Sequence, residues 1–227
     1  MPQESRLCSS VLPVSCEGGG PCGWGSSVFP GAAGEDVVKH VAYLPQDVVS
    51  SAVLTVYEAV LLGRQTNASW RVHDSDLCLV LEVIRRLDLE PLSLRYLNEL
   101  SGGQRQLVGV AQAMVREAAV LLMDEPTSNL DLQHQMQVLD FVRSATREQG
   151  LVTVIAMHDL NLAARYADHV VVLIKGSVYG EGCPGEMLTP LMLEQVYGAE
   201  AETWKGSSGT TFVAPLRALP RSHTAAV

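Results

Sequence analysis

Residues 100–106 read Leu-Ser-Gly-Gly-Gln-Arg-Gln, and residues 121–131 read Leu-Leu-Met-Asp-Glu-Pro-Thr-Ser-Asn-Leu-Asp. The first stretch opens a helix. Ser101 stands at the cap, and Gly102 and Gly103 leave backbone N–H groups clear at the helix start, a place suited to a phosphate. The second stretch ends a buried strand, Val120 to Met123, that delivers two adjacent carboxylates, Asp124 and Glu125. Open α/β sheets gather their ligand chemistry at the C-terminal ends of strands. Neighbouring strand-end side chains point in different directions, so the two carboxylates need not share one role. A Ser-Gly-Gly alone marks a capped helix; the carboxylate pair 23 residues after Ser101 is what gives it chemical meaning.

Outward from this stretch, strands alternate with helices. Val37 to Tyr43 reads as a short strand that leads into Leu44-Pro45-Gln46. Thr55 to Leu62 starts a helix, with Thr55 and Glu58 at capping-box spacing. Asp76 to Leu87 is amphipathic, with Leu77, Val80, Leu81, Ile84 and Leu87 on one face. Residues 104–117 continue as a helix after the Ser-Gly-Gly loop. Leu132 to Gln149 is a helix, Leu151 to Met157 a strand ending at His158, Leu160 to Ala167 a helix and Val170 to Ile174 a strand. Lys175-Gly176-Ser177 turns the chain back as a hairpin over Val178 to Gly182. A polar, Gly-rich stretch follows Tyr197, with a short strand candidate at Phe212-Val213. This alternation predicts an α/β sheet. Residues 1–35, rich in Gly, Ser, Pro and Cys, show neither period and read as poorly structured.

Bulk properties exclude several classes. The 227 residues carry a formal net charge of −9, which argues against a surface that coats nucleic acid. The five cysteines, Cys8, Cys16, Cys22, Cys78 and Cys183, are odd in number, scattered and without a C-x-x-C pair, which argues against a disulfide framework or a zinc site. No apolar run reaches the roughly 18 to 20 residues of a membrane helix, and the N-terminus lacks the layout of a signal peptide.

Together these stretches resemble the ABC-type ATPases: signature loop, Walker B strand and D-loop, in that order. The resemblance runs from about Val37 to Leu216. It implies an α/β fold of the P-loop NTPase (RecA-like) kind, N-terminally incomplete: an irregular segment over 1–35, an ATPase domain over 36–216 with a helical subdomain at about 50–105, and a tail over 217–227. It implies ATP and Mg²⁺ as cofactors. Asp124 would hold Mg²⁺, usually through water, and Glu125 would polarise the attacking water. His158 matches the family's switch histidine, which contacts the γ-phosphate. Gln46 matches the glutamine that reaches Mg²⁺ and the water. Ser101, Gly102, Gly103 and Gln104 form the loop that closes over the γ-phosphate of a second subunit in a head-to-tail dimer. Asp131 matches the D-loop that crosses the dimer interface, with Asn129 where the family more often has Ala.

The segment from Ser51 to Arg64 further resembles importers of ferric siderophores, haem and cobalamin, in which this surface receives a coupling helix of the membrane subunit. The partners so implied are a second ATP-binding subunit, two membrane permease subunits and, indirectly, a substrate-binding protein, with no nucleic acid. The implied location is the cytoplasmic face of the membrane.

The sequence contains no G-x-x-x-x-G-K-[ST] phosphate loop. Its nearest imitation, Gly20 to Ser27, has Ser26 where the lysine would stand, and only 20 residues separate Ser26 from Gln46. The expectation is that residues 1 to about 35 stand in place of the family's N-terminal portion, and that the Walker B strand lacks a neighbour and exposes an unpaired edge. Three alternatives accompany the ATPase reading. One is a degenerate, non-hydrolysing subunit that docks on a membrane partner or lends its signature loop to an intact homologue. The others are a non-transport ABC ATPase and an unstable product without function.

Overall fold

A computed structural model describes residues 9–12, 40–46, 53–65 and 72–220. In chain order the elements are β1 (Ser9–Leu12), β2 (Val41–Leu44), α1 (Val56–Gly63), α2 (Asp74–Arg86), α3 (Gly102–Met114), β3 (Val120–Asp124), α4 (Leu132–Gln149), β4 (Val152–Met157), α5 (Leu160–Tyr166), β5 (His169–Ile174), β6 (Ser177–Gly182), β7 (Ala199–Lys205) and β8 (Thr211–Ala218). Short helical turns join several of them. Among the described residues no helix is long and apolar enough to cross a membrane. The chain divides into two compact units, one of residues 14–155 and the other of residues 1–13 and 156–227, so the boundary falls inside β4.

In the larger unit β2 runs parallel to β3, pairing Ala42 with Leu121 and Leu44 with Met123. All four side chains are buried, while Tyr43 is exposed. The pairing therefore lines up the apolar parity of both strands on one face, as a period of two requires. On its other edge β3 faces β4, with the Val152 amide bonded to the Ala119 carbonyl at 3.0 Å. The expected unpaired edge on the Walker B strand is not found, because β4 occupies the neighbouring position. Helix α3 is buried from Gln106 to Ala111, a whole turn and more, so it is covered on several sides. One cover is α1, whose Val56, Ala59 and Val60 are fully buried. Gln112 of α3 fixes that approach by donating to the Ala59 carbonyl at 2.8 Å.

The capping box predicted for α1 is present: Thr55 Oγ1 accepts from the Glu58 amide at 3.3 Å, and Glu58 Oε2 accepts from the Thr55 amide at 2.8 Å. Helix α2 starts two residues before the expected position, and its buried stripe is Val80, Val83, Ile84 and Leu87. Leu81 was placed on that face but is half exposed; the true stripe follows i, i+3, i+4, i+7, which turns 81 aside. Arg64 at the end of α1 joins the helices, donating from Nε to Asp76 at 2.7 Å and pairing with Glu117 beyond α3. Helix α4 ends at Gly150, with φ 64°, a left-handed conformation that glycine adopts freely. Thr146 of α4 and Thr153 of β4 satisfy each other's buried hydroxyls at 2.7 Å.

In the smaller unit β1, β5 and β6 form an antiparallel set: Ser9 pairs with Val172, and Leu173 with Val178. The segment 1–35 was read as having no strand, yet Ser9–Leu12 pairs as one; its other residues lie outside those described. Strands β7 and β8 form a second hairpin, with Trp204 stacked on Phe212 at 5.8 Å. The sequence reading missed β7, since Ala-Glu-Ala-Glu-Thr-Trp-Lys alternates only small Ala with Glu, both poor strand formers, and it shortened β8. Asn161 of α5 binds β8 by its backbone, donating to the Val213 carbonyl at 3.1 Å and accepting from the Val213 amide at 2.8 Å.

Candidate active site

Strand β3 ends on Asp124, and Glu125 begins the turn to α4. Both carboxylates are half-buried. Gln46 follows β2, the parallel neighbour of β3, so the pairing carries it to the same end of the sheet. There its Nε2 donates to Glu125 Oε2 at 3.0 Å. The structure thus brings together Gln46 and Glu125, residues far apart in the chain. With Nε2 committed to the carboxylate, Gln46 keeps its Oε1 as an acceptor for a cation.

Glu125 has φ 47°. This is the left-handed region, which costs a non-glycine residue about 1–2 kcal/mol. It also precedes Pro126, a position that favours extended backbone. The Glu125 carbonyl accepts from the Ser128 amide at 3.2 Å and from Nε2 of buried Gln106 at 3.5 Å. Gln135 of α4 donates to the Thr127 carbonyl at 3.2 Å. Neither glutamine's contact was legible beforehand. Gln106 sat within the motif, but only its burial in the fold reveals what it touches.

The Ser101 loop closes on itself as a second capping box. Ser101 Oγ accepts from the Gln104 amide at 3.2 Å, and Gln104 Oε1 accepts from the Ser101 amide at 3.0 Å. The two glycines have different reasons. A Cβ on Gly102 would meet nothing within 4 Å, whereas one on Gly103 would meet the Asn129 carbonyl at 2.8 Å. Gly103 thus lets α3 approach the turn after β3, and Gly102 leaves open space at the helix start. Asp131 caps α4, its Oδ1 accepting from the His134 amide at 3.0 Å and lying 2.8 Å from the ring Nδ1. The backbone bond first, and the ring second, hold the Asp131 carboxyl below the usual range. His158, in the other unit, follows β4 and is exposed; Asp159 beside it caps α5, accepting from the Asn161 and Leu162 amides at 2.8 and 2.9 Å.

Asp124 ends β3 and the Gln46 amide oxygen follows the paired β2; both are hard oxygen donors of the kind Mg²⁺ takes, one or two at a time, beside water and phosphate oxygens. Near β2, α1 and α3 lies an open cleft of about 350 Å³ lined by Tyr43, Pro45, Leu62, Gln112 and Arg116, among others.

A family described as "ABC transporter" matches residues 27–128. An ABC transporter ATP-binding protein of Methanocaldococcus jannaschii is 42% identical over 73% of this chain and 65% of its own length. The ferric enterobactin transport ATP-binding protein of Escherichia coli is 32% identical over 81% of this chain and 69% of its own. The chain therefore spans just under two thirds of the first relative and just over two thirds of the second. A solved structure, an inward-facing conformation of a putative metal-chelate type ABC transporter, superposes with a TM-score of 0.68 at 28% identity, covering 78% of this chain and 73% of that one. The α/β fold is that of the ABC ATPase cassettes, and the chain belongs to the family of ABC transporter ATP-binding proteins.

Proposed function

We propose that this chain is an ATP-binding and ATP-hydrolysing subunit that powers an ABC importer of ferric siderophore, haem or cobalamin. The observation that carries the reading is the 3.0 Å contact between Gln46 and Glu125 at the end of paired parallel strands, beside Asp124. Asp124 and the free Oε1 of Gln46 would hold Mg²⁺, which when bound neutralises phosphate charge. Glu125 would accept a hydrogen bond, and then the proton, from the attacking water, and Gln46 orients that carboxylate. His158 would be the γ-phosphate contact that the family resemblance implies. Ser101 offers its hydroxyl proton, and Gly102, Gly103 and Gln104 present the open helix start, to nucleotide on a second subunit; Asp131 lies in the turn that crosses to that subunit. The ATPase domain covers 36–216, with α1 and α2 in a helical subdomain at about 50–105. Two permease subunits would dock on the surface around Ser51 to Arg64, placing the chain at the cytoplasmic face of the membrane, with cargo delivered by a substrate-binding protein. The siderophore named for the E. coli relative supports the cargo class.

The test is Mg-ATP binding by the purified chain, beside Glu125→Gln and beside the same chain with an N-terminal region supplied by a homologue. Binding in the extended chain and ATP turnover abolished by Glu125→Gln are the expected results. Binding without any turnover in the extended chain would overturn the hydrolytic reading and leave a docking subunit.

A further inference from the structure

Gln106 is 2% exposed, and it is a polar side chain in an otherwise apolar stretch of α3. A buried amide needs a partner, and its Nε2 finds the main-chain oxygen of Glu125 at 3.5 Å. That oxygen belongs to a peptide in an unfavourable place, φ 47° before a proline. Such a conformation persists only where the surroundings over-determine it. The Ser128 amide supports it from within the turn at 3.2 Å. Gln106 supports it from a different element. The same helix meets the turn again one turn earlier, where Gly103 lies under the Asn129 carbonyl. A further element, α4, holds the Thr127 carbonyl through Gln135.

We propose that Gln106 is a positioning residue. Its buried amide holds the Glu125 peptide in the left-handed conformation and so sets the direction in which the Glu125 carboxylate leaves β3. Gln106 rides on the helix that begins with the Ser101–Gly103 loop. This role rests on the reading of Glu125 as the hydrolytic carboxylate and adds to it a determinant of its orientation.

The experiment uses the full chain without nucleotide and reads amide hydrogen exchange in four proteins: the parent, Gln106→Leu, Glu125→Gly and the double variant. Gln106→Leu is expected to speed exchange of the Ser128 amide about tenfold, a coupling of ordinary size for contacting residues, while the Leu121 and Met123 amides inside β3 stay within about twofold. In the Glu125→Gly background the same substitution should have no effect at Ser128, because glycine takes a positive φ without support. Equal acceleration in both backgrounds, or none in either, would show that Gln106 only fills space. Should the leucine variant fail to fold, Gln106→Met, flexible and of similar volume, carries the same comparison. Since no arm contains nucleotide, a negative result overturns this role alone. A failure of Mg-ATP binding would instead overturn the reading of the site and leave the exchange pattern standing.

Discussion

Glu125 and Lys175 share a backbone conformation, φ 47° and 49°, for different reasons. Lys175 is exposed and sits with Gly176, φ 81°, in the two-residue link between β5 and β6. Positive φ at both central positions is what a tight hairpin of right-twisted strands demands. The turn geometry imposes the conformation, and any residue that tolerates it will serve. Glu125 lies in no such hairpin, and the proline after it favours the opposite choice. Its conformation is held by Ser128 and Gln106 on the carbonyl, and Gln46 engages its carboxylate. A left-handed residue explained by its own turn is architecture. One held by contacts from other elements marks a place where the direction of a side chain matters.

The largest expected difference between the two is chemical. In the chain extended with a homologue's phosphate loop, Glu125→Gln should slow ATP hydrolysis by about 10²- to 10⁴-fold, the range for a lost general base, while Mg-ATP binding persists. Lys175→Gln should leave the rate unchanged. Phosphate release with and without each substitution measures both, and equal rates in the two variants would erase the distinction.

Packing supplies the next test. Gly103→Ala places a methyl 2.8 Å from the Asn129 carbonyl, and overpacking against backbone should cost about 1–3 kcal/mol. Gly102→Ala meets open space and should fall within about 0.5 kcal/mol of the parent. Denaturant melts of the two variants decide it. If both are neutral, the turn after β3 is looser than the Glu125 comparison requires. At the other turn, Lys175→Gly should stabilise by about 0.5–1 kcal/mol, since relief of left-handed strain outweighs the extra entropy of glycine when unfolded. A loss of stability there would show that the Lys175 side chain contributes more than its turn.

The sequence made the framework legible where local chemistry and function coincide. Thr55 with Glu58 and Ser101 with its glycines are cap patterns, and each opened the predicted helix; Asp131, read only through the D-loop resemblance, proves to cap α4 as well. The residues read from the motifs, Gln46, Glu125 and Asp124, meet at one end of β2 and β3 because the strands pair in parallel. What escaped was non-local. Strand β7 exists because β8 pairs with it, and its own alternation, of Ala with Glu, is a weak strand signal. Leu81 and Val83 differ by where neighbours press on α2. The positive φ of Glu125 contradicts the local rule for a residue before proline, so no local reading could have found it. Gln106 was read only as a letter of the motif, and its burial comes from the fold.

Asp131 gives the smallest expected effect and a sign that can be worked out. Its carboxyl lies below the usual range because the His134 amide, and then the His134 ring, bind its oxygen. A carboxyl more acidic in the folded chain than in the unfolded one adds stability above the unfolded value, about pH 4. That contribution is lost as pH falls through the folded value. Asp131→Asn keeps a capping oxygen, since asparagine caps nearly as well, but it cannot titrate. The parent should therefore melt slightly above this variant at pH 7, and the gap should shrink from about pH 4 downward. The effect stays small because the Asp131 side chain is 67% exposed and water screens it. Melting curves of both proteins from pH 7 to pH 3 test it. A gap that holds constant through that range would show that Asp131 acts through geometry alone, as Lys175 does in its hairpin, and that the charge at the end of the Glu125 turn carries no stability of its own.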